Sequence, residues 1–311
     1  MANNNSKESL LQKDIKAISR YIKKNGPEPN EYGTLLDEIK SIAGRFKDKT
    51  YGQDEIKLLS AAFGDSLSLE TLQGHIFHKP HGYNGDYEVM EKVYLEQISP
   101  NPKLARWDSF WQCQNGSRAV RNRKQYFKDL LKEKIDQKKG TLHVLNIASG
   151  SCRDLYEFIR ENPKVNIKID CVDIDQSSIL YAKSLIANHI DKFRFFNVSS
   201  FKFEADKKYD LIWSGGLFDY FSDKNFVISV RRWIDWLNET GEIGLGNFTN
   251  KNSMKDFMYI LDWKLYYRNK FQLLYLSRKI IQDMKIEPRV GSEPEEVNLF
   301  LHLKKIPANG I

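Results

Sequence analysis

The stretch LHVLNIASGSCRDLYEFIRENPKVNIKIDCVDID, Leu142 to Asp175, decides the fold. It opens on a mostly apolar run, Leu142 to Ala148, interrupted by His143 and Asn146. An apolar run of about four to eight residues reads as a buried strand. Ser149-Gly150-Ser151 is a small-residue turn, and Leu155, Phe158 and Ile159 then recur at helical spacing. A second apolar run, Ile167 to Ile174, ends among two acids, Asp173 and Asp175. Strand, loop, helix and strand of this length make a parallel βαβ crossover. A tight turn lets a ligand approach the backbone, and the helix N-terminus favours an anion there. An acid at the tip of the second strand accepts hydrogen bonds from ribose hydroxyls. Gly150 and Asp173 stand close to the roughly 20-residue separation which that role requires.

Two adenosine-containing cofactors compete for such a unit. A dinucleotide wants G-x-G-x-x-G, whose second glycine lets the backbone reach the pyrophosphate. This loop offers one glycine, followed by Ser151 and Cys152. S-adenosylmethionine has no pyrophosphate and tolerates a less glycine-rich loop, so the residues favour it over NAD or FAD.

Working outward, the chain has 311 residues, of which 41% are hydrophobic, enough for a substantial core in one large domain or two. The net charge of +7 raises the question of acidic partners. Lys and Arg are interspersed with acids throughout, which reads as solvated surface. Cys113, Cys152 and Cys171 lack paired spacing. They give neither a disulfide framework nor a zinc knuckle and fit a reducing cytoplasm. MANNNSKESL lacks the apolar core of a signal peptide, and no apolar run is long enough for a membrane span.

Residues before Leu10 are polar and expected to fray. Helices are expected at Leu10–Ile22, Tyr32–Phe46, Asp54–Phe63 and Leu69–Phe77, an all-helical beginning. His75, His78 and His81 could supply metal ligands, but no acid or cysteine completes the set nearby and Pro80 breaks the helix, so no metal is expected. In HGYNGDYE, His81 to Glu88, two glycines frame a turn and Asp86 is placed to cap a helix running to about Ile98. The same segment reads equally as a pocket wall rich in aromatic and acidic groups. Trp107, Phe110 and Trp111 make the next helix, Leu104–Gln112, a packing element. Ser117 to Ile135 is a long basic helix on which Arg118, Arg121 and Lys124 share a face. That face is either a solvated stripe or a clamp for a carboxylate.

Beyond Asp175, a helix is expected at Ser177–Ala187 and strands at Phe193–Val198, Tyr209–Trp213 and Glu242–Gly246. Helices are expected at Asn225–Leu237 and Met254–Lys264. In an open parallel sheet, ligands sit beyond the strand C-termini, where Asn197 and the loop Ser214-Gly215-Gly216-Leu217 fall. Lys285–Val290 and Val297–Leu303 read as an antiparallel terminal hairpin turning at Gly291-Ser292-Glu293-Pro294.

With these pieces in place, residues from about 140 to 305 resemble the catalytic domain of a class I S-adenosylmethionine-dependent methyltransferase. More narrowly, HGYNGDYEVMEKVY, SRAVRNRK, LNIASGSCRD, SGGLFDYFSD and GNFTNKNSMKDFMYILDWKLYYR resemble the bacterial subgroup of extracellular-factor 3-hydroxypalmitic acid methyl ester biosynthesis proteins. One departure lies in the cofactor loop, where the family has Ala-Cys-Gly-Pro and this chain has Ala148-Ser149-Gly150-Ser151. The resemblance implies an α/β fold: a Rossmann-like, seven-stranded, mostly parallel sheet with an antiparallel terminal hairpin, plus an N-terminal all-helical region. It divides the chain into a helical lid and acceptor pocket, residues 1–136, and a methyltransferase domain, residues 137–311. It implies S-adenosyl-L-methionine as cofactor and S-adenosyl-L-homocysteine as product. Ala148 and Ser149 to Ser151 would line the methionine moiety. Asp173 would hold the ribose hydroxyls, with Ile174 and Asp175 close by. Asn197 and Val198 would flank the adenine, and Ser214, Gly215, Gly216 and Leu217 would run beneath the sulfonium. Tyr83, Asp86 and Tyr87, with Arg118 and Arg121, would close the pocket from the helical side, Tyr87, Arg118 and Arg121 as further cofactor-binding residues.

Methyl transfer from an activated sulfonium asks mainly for positioning and exclusion of water. A carboxylate acceptor needs no base, whereas a hydroxyl or amine wants one, for which Tyr83, Asp86, Asp219 and Tyr220 are the candidates. The expected acceptor is a small, partly apolar acid or hydroxyl compound, such as a hydroxy fatty acid carboxylate. A nucleic-acid or N-methyltransferase is the alternative enzyme, but the chain lacks the Asn/Asp-Pro-Pro-Tyr/Phe stretch used on exocyclic amines. A non-catalytic S-adenosylmethionine-binding module is the other alternative. Sequence leaves the oligomeric state open.

Overall fold

The computed structural model describes residues 2–282 and 284–307. Six helices come first: α1 (Ala2–Ile22), α2 (Tyr32–Lys47), α3 (Gln53–Phe63), α4 (Leu72–His78), α5 (Tyr87–Tyr94) and α6 (Ala105–Cys113). The long α7 (Asn115–Gln137) leads into β1 (Leu142–Ile147), α8 (Arg153–Glu161), β2 (Ile167–Asp173), α9 (Gln176–Leu185) and β3 (Phe193–Asn197). Then come β4 (Tyr209–Ser214), α10 (Asp223–Ile234), β5 (Leu237–Phe248), α11 (Lys255–Ile260), α12 (Lys270–Ile281), β6 (Ile286–Ser292) and β7 (Asn298–Lys305). Two compact units result. One holds the residues up to Arg118 together with Asn252–Lys264; the other holds Ala119–Lys251 and the chain from Leu265 on. The division falls inside α7, at Arg118, rather than at its end near residue 136.

In the first unit, Leu11 and Ile18 of α1 and Leu35, Ile39 and Ile42 of α2 are buried. They recur at three, four and seven residues, which makes one apolar face on each helix. α1 begins at Ala2, earlier than the polar composition suggests. Lys7 on its second turn is paired with Glu55 of α3 at 2.7 Å. Trp107, Phe110 and Trp111 are buried, and the Trp111 indole donates to Gln73 at 2.9 Å. Phe257 of α11 packs against Trp111, Phe63 and Phe110 with ring centroids 5.2, 5.7 and 6.0 Å apart, and the Ser253 amide donates to Asn115 at 2.9 Å. These contacts draw a stretch distant in sequence into the helical unit.

In the second unit the seven strands form one sheet in the order β3-β2-β1-β4-β5-β7-β6. β1 to β5 run parallel, while β7 lies antiparallel between β5 and β6. Both faces are covered, so the strands alternate between two cores. Leu142, Val144, Ile169, Cys171, Leu211 and Trp213 pack with α7, α8 and α9. Leu145, Ile147, Val172 and Ile212 pack with α10 and α12 on the other side. Burial on both faces is the reason these strands read as continuous apolar runs.

β5 begins five residues earlier than expected. It absorbs Thr240-Gly241 through a register shift opposite Tyr209 and Leu211. The hairpin turn also moves on: β6 includes Gly291 and Ser292, and the buried Glu293 organises the turn. Its carboxylate accepts the amides of Glu295, Val297 and Asn298 at 2.7, 2.8 and 2.9 Å, and the Asn122 side chain at 3.0 Å. α12 was not foreseen, although Asn269 and Gln272 form a reciprocal capping box at its start. Among the described residues, no helix is long and apolar enough to cross a membrane, and no group of His, Cys, Asp and Glu side chains is placed to hold a metal ion.

Candidate functional site

At the C-terminal ends of β1 and β2, the turn after Ile147 is held open by backbone geometry. Ala148, Gly150 and Cys152 each carry φ of +55°. Only the glycine adopts this without steric cost. The Ser149 amide donates to Val172 O at 3.2 Å, and the Gly150 amide to Asp173 Oδ2 at 2.8 Å. The other oxygen, Oδ1, accepts the Asp175 amide at 2.9 Å. A carboxylate offers about four lone-pair sites. Asp173 therefore keeps acceptor capacity beyond these amides, as a ribose hydroxyl would use. Burial pushes its carboxyl pKa up, opposed by the hydrogen bonds from the Asp175 and Gly150 amides.

The neighbouring residues suit the rest of an adenosyl ligand. Ile174, immediately after Asp173, is 69% exposed, an apolar side chain left open at a strand end. Asp175 caps α9 by accepting the Ser177 amide at 2.8 Å. Val198 donates its amide to Asp173 O at 3.1 Å. The Asn197 side-chain amide donates to Asp173 O and Ile174 O at 3.2 and 2.9 Å, so it braces β3 against the tip of β2. Ser149 Oγ is buried without a hydrogen-bond partner. Such a group is costly unless something satisfies it, and it belongs to the loop assigned to the methionine moiety. α8 begins here with no side-chain bond from its N-cap Cys152, while the Leu155 amide in its first turn donates to Asp154 Oδ1 at 2.8 Å; a helix N-terminus favours an anion. These features fit S-adenosylmethionine.

The loop after β4 carries Ser214 to Leu217. Ser214 Oγ donates to Ile147 O at 2.9 Å, tying β4 to β1. Arg123 Nη1 donates to Gly215 O at 3.0 Å, and a Cβ at Gly216 would lie only 2.8 Å from that nitrogen. Arg123 was not singled out in the sequence, although it lies within SRAVRNRK. It sits on the buried side of α7 with Val120 and Phe127, and an arginine on an apolar helix face was the available signal. Its charge opposes the effect of burial on two acids. Burial still raises Asp219 to about 7 and Asp154 to about 6. Asp219 Oδ1 accepts the Phe248 amide at 2.6 Å and Asn247 Nδ2 at 2.8 Å, and Arg268 joins the same network through Asn247 Oδ1 at 2.7 Å. Tyr220, next in sequence, is exposed. Arg121 is half-buried on α7.

In the helical unit, Gly82 and Gly85 carry φ of +83° and +68°. Between and beyond them Tyr83 and Tyr87 are half-buried and Asp86 is buried. Asp86 caps α5 as expected, accepting the Val89 amide at 2.9 Å, and its other oxygen lies 3.2 Å from His75 Nε2. Glu88 Oε1 accepts the Tyr87 hydroxyl at 3.2 Å and lies 3.2 Å from His81 Nε2. His78 is bonded instead to Leu67 O at 2.8 Å. α5 ends at Tyr94, short of Ile98. Arg118 donates to the Cys113 carbonyl.

Solved structures resemble the chain over most of its length. A possible exported protein from Bordetella parapertussis superposes with a TM-score of 0.64 at 15% identity, over 96% of this chain and 97% of that one. The plantazolicin methyltransferase BpumL, solved in complex with SAH, superposes with a TM-score of 0.50 at 14% identity, over 81% of this chain and 98% of its own. The fold is that of class I methyltransferases. No family model matches the chain, and no curated protein matches it in sequence.

Proposed function

We propose that this protein is an enzyme that binds S-adenosyl-L-methionine at the ends of β1, β2 and β4. It transfers the methyl group to a small, partly apolar acid or hydroxyl acceptor and releases S-adenosyl-L-homocysteine. The observation that carries the reading is Asp173, locked at a strand tip by the Gly150 and Asp175 amides with acceptor sites to spare, beside the unpartnered Ser149 Oγ. S-adenosylmethionine, when bound, supplies an electrophilic methyl group. Asp173 then orients the ribose, and Ser149 to Ser151 with the first amides of α8 receive the amino-acid end. Ser214 to Leu217, packed against Arg123, form a firm floor.

For a hydroxyl acceptor, Asp219 is the group with a proton affinity suited to neutral pH, since burial lifts it to about 7. A carboxylate acceptor, such as that of a 3-hydroxy fatty acid, needs no base, and then Asp219 acts only in shaping the loop. We assign Tyr83 and Asp86 to acceptor recognition, on the chemistry of a glycine-jointed segment rich in hydroxyl, acid and imidazole groups. Three cysteines present as thiols go with a cytoplasmic setting.

The test is incubation with methyl-labelled S-adenosylmethionine and a cell extract, followed by mass spectrometry of the products. Label in a low-mass, base-labile ester or an ether supports the reading. Label only in nucleic acid or protein contradicts it.

A further inference from the structure

α10 and α12 lie side by side and point the same way. Arg268, just before α12, holds Asp223 at the start of α10 at 2.8 Å. Farther along, Arg231 Nη2 donates to the Lys279 carbonyl at 2.6 Å. This pairing sets Ile228, one turn before Arg231, level with Tyr275, one turn before Lys279. The inner faces of both helices are buried in the core. The outer faces are not polar throughout: Phe271 is 82% exposed, Tyr275 56% and Ile228 52%. Single exposed apolar residues are ordinary. Here three stand on adjoining outward faces among Lys224, Arg231, Lys270, Arg278 and Lys279. The only acidic residue in either helix, Asp223, is already paired with Arg268.

We propose that this face docks the protein on an anionic phospholipid surface. Aromatic and aliphatic tips inside a rim of Lys and Arg match the boundary of a bilayer, where rings enter the headgroup layer and cations meet lipid phosphates. The long basic side chains keep their charges at headgroup level while their stems cover apolar surface. A second copy of this chain is a poor occupant, because a two-fold contact brings each patch of cations against its own image. The Lys279 ammonium lies 4.4 Å from the centre of the Tyr275 ring, so charge and aromatic surface are presented together. The inference is independent of the proposed methyl transfer.

Co-sedimentation of the full chain with vesicles tests it. Vesicles of phosphatidylcholine alone are compared with vesicles of equal parts phosphatidylcholine and phosphatidylserine. The wild-type protein is expected to pellet with the anionic vesicles, to be released by salt, and to stay in solution with the neutral ones. The exposed pair Phe271→Ser with Tyr275→Ser is expected to lower the apparent affinity by about tenfold or more. Arg278→Glu with Lys279→Glu is expected to abolish binding, whereas Lys164→Glu, beyond α8 on the other side of the sheet, leaves it unchanged. Circular dichroism verifies that each variant is folded. The proposal is overturned by absence of wild-type binding to anionic vesicles, or by a Ser pair that binds as well as wild type, which marks bulk basicity. It is equally overturned by a dimer in light scattering that the Ser pair converts to monomer, which makes the face an interface between copies.

Discussion

Asp219 links chemistry and stability through one proton. Its carboxyl rises from an ordinary 3.8 to about 7 because burial disfavours the charge more than the Phe248 amide, Arg123, Arg268 and Asn247 favour it. Between those two values the folded chain holds a proton that the unfolded chain has lost. Stability therefore falls as pH rises from about 4 to about 7, by on the order of a few kcal/mol, and is level above that. Asp219→Asn keeps an acceptor oxygen for its two donors and removes the ionisation. Its unfolding temperature is expected to exceed that of wild type at pH 8 and to lose the slope; thermal melts across pH read this directly. If Asp219 serves as base, the same variant also loses the rise in kcat near neutral pH. Glu242 shows the opposite sign. Burial opposes its charge, yet His302, Lys134 and Arg289 surround it, and its pKa falls from 4.5 to about 2. Its stabilising contribution is present above about pH 4.5 and is lost as pH falls through about 2. Burial pushes the His302 imidazole down, so Lys134 and Arg289 carry the lasting positive charge. Glu242→Gln leaves both uncompensated and is expected to cost about 3–5 kcal/mol in denaturant unfolding.

The elements divide into those that local pattern declares and those that it cannot. β1, β2 and β4 were legible because burial on both faces makes continuous apolar runs, and Asp86 was legible as a cap from HGYNGDYE alone. Asp86→Ala is expected to cost about 1 kcal/mol for the lost cap, and more for the exposed need of His75; chemical denaturation measures it. The loop after β1 was legible as a turn, but not the positive φ at Ala148 and Cys152, since side chains rarely declare a left-handed backbone. A Cβ at Gly150 meets nothing within 4 Å, so only its φ of +55° resists substitution. Gly150→Ala is therefore expected to cost about 1–2 kcal/mol in stability and to weaken binding of the methyl donor, as a methyl group is added on the open side of the loop. Arg123 escaped notice because its role depends on Gly215, 92 residues away. α12 escaped because its outward Phe271 and Tyr275 blur the amphipathic signal.

At the scale of the molecule, the strands and the terminal hairpin were legible as apolar runs, and their union in one mostly parallel sheet was what the family resemblance implied. The composition of the two units did not, because Asn252–Lys264 joins the helical unit through Phe257 and Ser253, contacts that no local pattern announces. The charge of +7 was read as dispersed surface, yet part of it gathers on α10 and α12, where packing rather than sequence neighbourhood collects it. What the whole chain does rests on the strand-end site. Tyr83→Phe and a folded Asp86→Asn are expected to lower turnover on the true acceptor without altering affinity for the methyl donor, which separates acceptor recognition from cofactor binding. The most direct measurement of the central claim is titration calorimetry of the full chain with S-adenosylhomocysteine and with NAD, repeated on Asp173→Ala. The expected result is saturable binding of S-adenosylhomocysteine, none of NAD, and a loss of about 1–3 kcal/mol in the variant, the worth of hydrogen bonds to a charged group. Binding of NAD in place of S-adenosylhomocysteine, or unchanged affinity in a folded Asp173→Ala variant, contradicts it.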